Sequence, residues 1–249
     1  MWNELTAPIV IAHRGDKAFA PENTLSAFKQ AADKGADGIE FDVKLSADGQ
    51  VIVIHDQTVD RTTNGTGNVA RLPLAALRDL DAGVQFPGQF PGEKIPLLEE
   101  IFETVGQRLY MNVELTNYAT PFDDLVNRVV DLVRRHSLQK RVFFSSFFPG
   151  NLRKARQLLP EVPRGQLTMR GFMGSWGRSF GWRGRVDALN PYFTDADAGL
   201  VNRVHAAGKR VYVWPVYAEA DIKCMIGLGV DGIITHDPAL ALRLLGRGK

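Results

Sequence analysis

The chain has 249 residues, 45% hydrophobic and 23% charged, with 30 basic against 28 acidic side chains. That composition suits one large soluble α/β domain or two small ones, and it offers no dense basic tract for nucleic acid or an anionic membrane surface. One cysteine, Cys224, excludes an intrachain disulfide, no run reaches transmembrane length, and no leader-like segment opens the chain, so the expected address is cytoplasmic.

In chain order, strand-like apolar runs alternate with amphipathic helical stretches. "PIVIAH" leads into "NTLSAFKQAADKG", whose Leu25, Phe28, Ala31 and Ala32 share one helical face. "GIEFDVK" leads through the turn "SADG" into a return run, 51–54. Pairing Leu45 with Gln50 across that turn would set Glu40 opposite His55. Beyond an irregular stretch, "LYMNVEL", "RVFFSSF", "PRGQLT", "DALNP", "RVYVWPV" and "DGIIT" each read as strands, most with a helical pattern behind them. Cys224, in "DIKCMIGLGVDG", is expected to pack within its helix.

Apart from the return run, the expected strands are 9–13, 38–43, 109–115, 142–146, 164–168, 187–190, 210–216 and 231–235. Eight β/α units in a chain of this length predict a single-domain (β/α)8 TIM barrel. A doubly wound open sheet is the competitor, but the first strand-to-helix turn carries no glycine-rich dinucleotide fingerprint. Residues 45–96, dense in Gly, Pro, Asn and Asp, break the rhythm and read as a small subdomain inserted after strand 2.

Active-site residues of such barrels collect at the C-terminal ends of the strands. His13 and Arg14 end strand 1, Glu40 and Asp42 share one face late in strand 2, and Glu114 lies near the end of strand 3. His55 returns to the same mouth, Trp214 lies late in strand 7, and His236-Asp237 follow strand 8. Three crowded carboxylates repel one another unless a cation or protons intervene. An all-oxygen set suits a hard divalent ion, Mg²⁺ or Ca²⁺, whereas zinc would recruit the histidines. His13 and His55 are then free to act as an acid/base pair, the planar fork of Arg14 suits phosphate oxygens, and Trp214 is expected as a further substrate or phosphate contact.

Taken together, "AHRGDKAFAPENTLSAF", "GIEFDVKLSADGQVIVIHD", "HDQTVDRTTNGTG", "MNVEL", "SSF" and "DGIITHDP" resemble the glycerophosphodiester phosphodiesterase family over essentially the whole chain. The resemblance implies a (β/α)8 barrel with an insertion after strand 2, a divalent metal on Glu40, Asp42 and Glu114, and His13 and His55 as general acid/base. It also implies phosphate contact by Arg14, a small-molecule glycerophosphodiester substrate, and support of the first loop by Glu22 and Asn23. The plain alternative for Asn23 is N-capping the first helix. The implied products are sn-glycerol 3-phosphate and an alcohol.

This sequence departs from the family's pattern at Thr116, where a lysine is usual. Arg170 or Arg178, from the aromatic, glycine-rich loop 168–184, is the expected substitute for that charge. In this loop Phe172, Trp176, Phe180 and Trp182 are expected to form a lid or acyl-contacting rim rather than core, with an oligomer contact as the alternative. Rival readings are a lysophospholipase D-like phosphodiesterase on the same scaffold and a barrel that binds phosphodiesters without turnover.

Overall fold

The structure, a computed structural model, describes residues 2–184 and 186–248. Its strands are β1 (Ile9–His13), β2 (Gly38–Leu45), β3 (Val51–Val53), β4 (Tyr110–Leu115), β5 (Val142–Ser146), β6 (Arg164–Thr168), β7 (Ala188–Pro191), β8 (Arg210–Val216) and β9 (Gly232–Thr235). All but β3 are parallel, in the order β1-β9-β8-β7-β6-β5-β4-β2, and a β1–β2 pairing closes the cylinder. This is the (β/α)8 barrel, with strand bounds within two residues of those read from the sequence.

Alternation along β2 shows how the sequence builds it. Ile39, Phe41 and Val43 face outward into a fully buried cluster with Phe28, Leu98, Ile101 and Val129 from the surrounding helices. Glu40, Asp42 and Lys44 therefore face the barrel interior, each no more than 5% exposed. The helices are α1 (Leu25–Asp33), α2 (Leu74–Asp79), α3 (Leu98–Val105), α4 (Leu125–Arg135), α5 (Pro149–Leu158), α6 (Ser175–Ser179), α7 (Ala198–Ala206), α8 (Glu219–Gly227) and α9 (Pro238–Leu244). None of the described helices is long and apolar enough to cross a membrane.

Between β2 and α3 the chain forms β3, a 3-10 turn at Val69–Arg71 and α2 around a small core of its own, Ile52, Ile54, Val59, Val69, Leu77, Ala82 and Ile95. The β2–β3 register differs by one residue from the expected one. Leu45 pairs with Val51 and Val43 with Val53. A three-residue loop causes the shift: Gly49 takes φ +79° and its N–H reaches Ser46 O, while Gln50 N donates to the Ser46 hydroxyl. A one-residue slip exchanges faces, so His55 is not opposite Glu40. It reaches the mouth because β3 ends at Val53 and the chain bends at residues 55–57.

Three further expectations are corrected. Thr24 caps α1, its Oγ1 accepting from Ala27 N at 3.3 Å, which leaves Asn23 for another role. Cys224 is exposed on α8, whose buried residues are Ile222 and Met225. Trp182 is core: it packs with Leu189, Val201 and Val211 and donates from Nε1 to Arg178 O at 2.7 Å.

Candidate active site

The first β/α turn is built around a sharp reversal. Arg14 and Asn23 both hold φ near +58°, a rare region for residues with a Cβ that is found preferentially at functional sites. Gly15, at φ +84°, lies so close to α1 that a Cβ would stand 2.6 Å from that of Ala27. The reversal is tied to β2: Arg14 N donates to Glu40 O at 2.8 Å and lies 3.2 Å from Glu40 Oε2.

Side chains complete the network. Arg14 Nη1 donates to Glu22 Oε1 at 2.9 Å, and its Nε lies 3.3 Å from Asp42 Oδ2. Asn23 donates to the same Asp42 oxygen at 3.0 Å. Burial alone would raise the Glu22 carboxyl; hydrogen bonds from Arg61 and the charges of Arg14 and Lys17 hold it well below the usual carboxylate range. Glu22 and Asn23 thus support the first loop, as the motif implied.

β2 and β4 run in parallel register with Asp42 beside Glu114, which brings the three predicted carboxylates together. Glu40, Asp42 and Glu114 each offer a ligand oxygen, all within 4.8 Å of one another. Burial and the neighbouring carboxylates raise Glu40 well above the ordinary range, and burial with Asp42 pushes Glu114 up to about 8. Among the described residues Glu40 Oε1 has no hydrogen-bond partner, and Glu114 accepts from the Tyr118 hydroxyl at 2.8 Å. The donor set and its unsatisfied oxygen fit a hard divalent cation.

His13 is buried beside this group, its Nε2 3.7 Å from Glu40 Oε2 and its Nδ1 without a hydrogen-bond partner among the described residues. Burial, then Arg14 and His236, lower its pKa well below the ordinary imidazole value. His55 lines the same cavity as Glu114, its Nδ1 2.5 Å from Asp56 Oδ1. Asp56 is held at about 2, chiefly by its hydrogen bond from Arg61, with His55 contributing.

His55, Asp56, Glu114 and Thr116 line a cavity of about 800 Å³ whose lining also includes Phe147, Phe148, Leu167, Met169, Met173 and Trp176. Trp214 is not among its lining residues. Its Nε1 is committed to Asn190 O at 2.8 Å, and its ring stands edge-on between Phe147 and Tyr192.

Two site residues had no role in the sequence reading: His236, which it placed after strand 8, and Lys44, which it did not single out. His236 stacks on His13, with ring centroids 5.0 Å apart, and Tyr217 stacks on His236 in turn; its position after the last strand was the available signal. Lys44 points into the barrel two residues beyond Asp42, and its Nζ donates to Thr116 Oγ1 at 2.8 Å. The alternation of 40, 42 and 44 could have found it. The expected substitutes for a lysine at 116 lie elsewhere: Arg178 is bound to Met169 O, Gly171 O and Asp195, and Arg170 lies over the Tyr192 ring.

The comparisons with known proteins agree with this geometry. The model of the glycerophosphoryl diester phosphodiesterase family matches residues 13–240. A glycerophosphodiester phosphodiesterase of Caldanaerobacter subterraneus subsp. tengcongensis is 38% identical over 241 residues, covering 96% of this chain and 98% of that protein. One from Bacillus altitudinis is 35% identical, covering 94% and 97%. Among solved structures, an Oleispira antarctica phosphodiesterase in complex with the product sn-glycerol-3-phosphate superposes with a TM-score of 0.87, at 30% identity, covering 96% of this chain and 96% of that one. The chain belongs to the glycerophosphoryl diester phosphodiesterase family.

Proposed function

We propose that the protein hydrolyses glycerophosphodiesters to sn-glycerol 3-phosphate and an alcohol, using a divalent cation, Mg²⁺ or Ca²⁺, held by Glu40, Asp42 and Glu114. The observation that carries this reading is the carboxylate trio at the mouth of a barrel of this family, with Glu40 and Glu114 raised in pKa and Glu40 Oε1 without a hydrogen-bond partner among the described residues. A cation there would offset charge on the phosphoryl oxygens and acidify an attacking hydroxyl or water.

The chain's own residues supply the rest. His13 and His55 provide one proton acceptor and one donor, for the attacking hydroxyl and the departing alcohol oxygen. Asp56 holds Nδ1 of His55, leaving Nε2 as the nitrogen that exchanges protons. Arg14 is a structural fork first, bound to Glu22 and close to Asp42, and its guanidinium would be shared between these carboxylates and the substrate phosphate. Trp214 stiffens the aromatic wall between Phe147 and Tyr192 on the substrate side.

The test is release of sn-glycerol 3-phosphate from glycerophosphocholine, before and after exhaustive chelation and after restoring Mg²⁺ or Ca²⁺. Turnover that chelation abolishes and the ion restores is expected. No turnover of any glycerophosphodiester with either ion would leave a binding barrel instead.

A second reading, hydrolysis of a lysophospholipid on the same site, is favoured by the cavity's apolar wall. Its lining includes Met173 and Trp176, which are 79% and 66% exposed, and Phe172, next to Met173 in the chain, is 92% exposed. Large exposed apolar groups beside a cavity mark ligand or lipid contact. Relative kcat/KM on glycerophosphocholine and a lysophosphatidylcholine separates the two.

A further inference from the structure

Lys44 is a buried cation whose protein partners are both neutral. Its Nζ donates to Thr116 Oγ1 at 2.8 Å and to Thr116 O at 3.2 Å. The Thr116 hydroxyl spends its own proton on Val43 O, at 2.8 Å, so it can only accept from the amine. Among the described residues, no carboxylate lies within ion-pair distance of Nζ. The other cations of the mouth are committed: Arg14 and Lys17 to Glu22, and Arg61 to both Glu22 and Asp56.

Burying an ammonium without an anionic partner is costly, and such groups are normally paired. An ammonium has three N–H donors, and Thr116 occupies two. Lys44 also lines the cavity together with His55, Glu114 and Thr116. A buried, incompletely paired cation at a cavity wall is a place for an anion.

We infer that Lys44 binds the phosphoryl group of the substrate and of the product, and that Thr116 is the bracket that holds its amine in place. The inference rests on the function proposed above. The register explains why the charge can come from this strand. Val43 pairs with Leu115, so residues 44 and 116 are neighbours at the same level of β2 and β4, both buried. An amine delivered from either strand would reach the same part of the cavity.

The competing role is purely electrostatic, in which Lys44 only offsets the carboxylates. Removing it would then tighten cation binding and leave phosphate binding alone. The decisive experiment measures calorimetric binding of sn-glycerol 3-phosphate to the Mg²⁺-supplemented protein, binding of Mg²⁺ itself, and turnover of glycerophosphocholine.

Lys44→Met is expected to weaken sn-glycerol 3-phosphate binding at least about tenfold and to lower kcat/KM by on the order of 10²-fold, the scale for one preorganised electrostatic contact. Mg²⁺ binding should be unchanged or tighter. The swap Lys44→Thr with Thr116→Lys should recover most of both losses. Unchanged product binding in Lys44→Met, or a swap no better than the single variant, overturns the inference. If Lys44→Met does not fold, the swap alone decides, with Lys44→Thr as its reference. Failure of the wild type to turn over any glycerophosphodiester would instead strike the proposed function, and product binding would still judge Lys44.

Discussion

Arg61 and Glu22 form a two-pronged ion pair, Nη1 to Oε2 at 3.0 Å and Nη2 to Oε1 at 2.8 Å. Arg61 comes from the segment after β3 and Glu22 from the first loop, so the pair fastens the two pieces of chain that carry His55 and Arg14. The same guanidinium donates from Nε to Asp56, the partner of His55. Fork geometry of this kind holds both position and orientation.

Arg61→Ala should therefore cost turnover more than stability. Glu22 keeps Arg14 and Lys17, and Arg61 is partly exposed, so the loss of stability should be about 1 kcal/mol. His55 would lose its anchored partner, and kcat should fall by roughly tenfold or more. Denaturation and steady-state kinetics on one preparation test the split. A variant that is strongly destabilised yet keeps its kcat would show that the clamp is structural alone.

Glu40→Gln keeps the shape of the side chain and removes one charge from the trio. Cation affinity should fall by about 10²-fold or more, beyond the usual effect of losing a group that only supports a ligand. Because Glu40 is already disfavoured as an anion by burial and by Asp42 and Glu114, the metal-free variant should unfold no earlier than the metal-free wild type. A Gln variant with undiminished Mg²⁺ affinity would remove Glu40 from the ligand set.

His13→Ala and His55→Ala should each lower turnover by at least about 10²-fold, the range for one acid/base group. Since one proton-transfer step is useless without the other, the double variant should be little worse than either single one. Near wild-type turnover in either variant, at unchanged cation affinity, would exclude that imidazole from the reaction.

His236 sets a pH window for stability. Burial, with Lys17 and Arg14 nearby, holds it at about 4 in the folded protein, against about 6.5 in an unfolded chain. Between those values the unfolded state binds more protons, so stability falls as the pH drops from 6.5 towards 4 and is insensitive to this group outside the window. His236→Gln should shrink the difference in unfolding free energy between pH 7 and pH 5, measured by urea denaturation. His13, shifted in the same direction, would retain its own share. An unchanged difference in the variant would contradict the assignment.

The barrel and the carboxylate trio were legible because both depend on period-two alternation, which survives in a single sequence. Glu40, Asp42 and Glu114 could be placed on inward faces without knowing any contact. His55 was found by position, but its expected pairing was not. The turn's left-handed Gly49 adds one residue to the loop, and a one-residue slip leaves the hydrophobic pattern of so short a strand nearly unchanged. Trp182 was misread because the glycines and arginines around it look like solvent-facing loop, while its burial depends on β7, β8 and α7 folding against it. Thr24, rather than Asn23, caps α1 because Asn23 is drawn away to Asp42, a partner 19 residues distant.

Thr116→Lys would place a second ammonium beside the first. The Lys44 amine uses both the hydroxyl and the carbonyl of Thr116, and a lysine side chain at 116 removes the hydroxyl and adds a like charge at the same level of the barrel. Like charges a few ångströms apart in a buried setting raise the cost of keeping both ionised. The single substitution should thus lower thermal stability and leave turnover of glycerophosphocholine unchanged or reduced. Arg170→Ala should leave kcat close to wild type, since Arg170 lies over Tyr192 and is absent from the cavity lining. Arg178→Ala should act through the loop: it would free Asp195 and the Met169 and Gly171 carbonyls, loosening the apolar rim more than the phosphate end. Its effect should therefore be larger on a lysophospholipid than on glycerophosphocholine. A gain in glycerophosphocholine turnover from Thr116→Lys alone would mean that the site lacks a positive charge despite Lys44, and that the charge at this mouth is set by residue 116 rather than by its neighbour on β2.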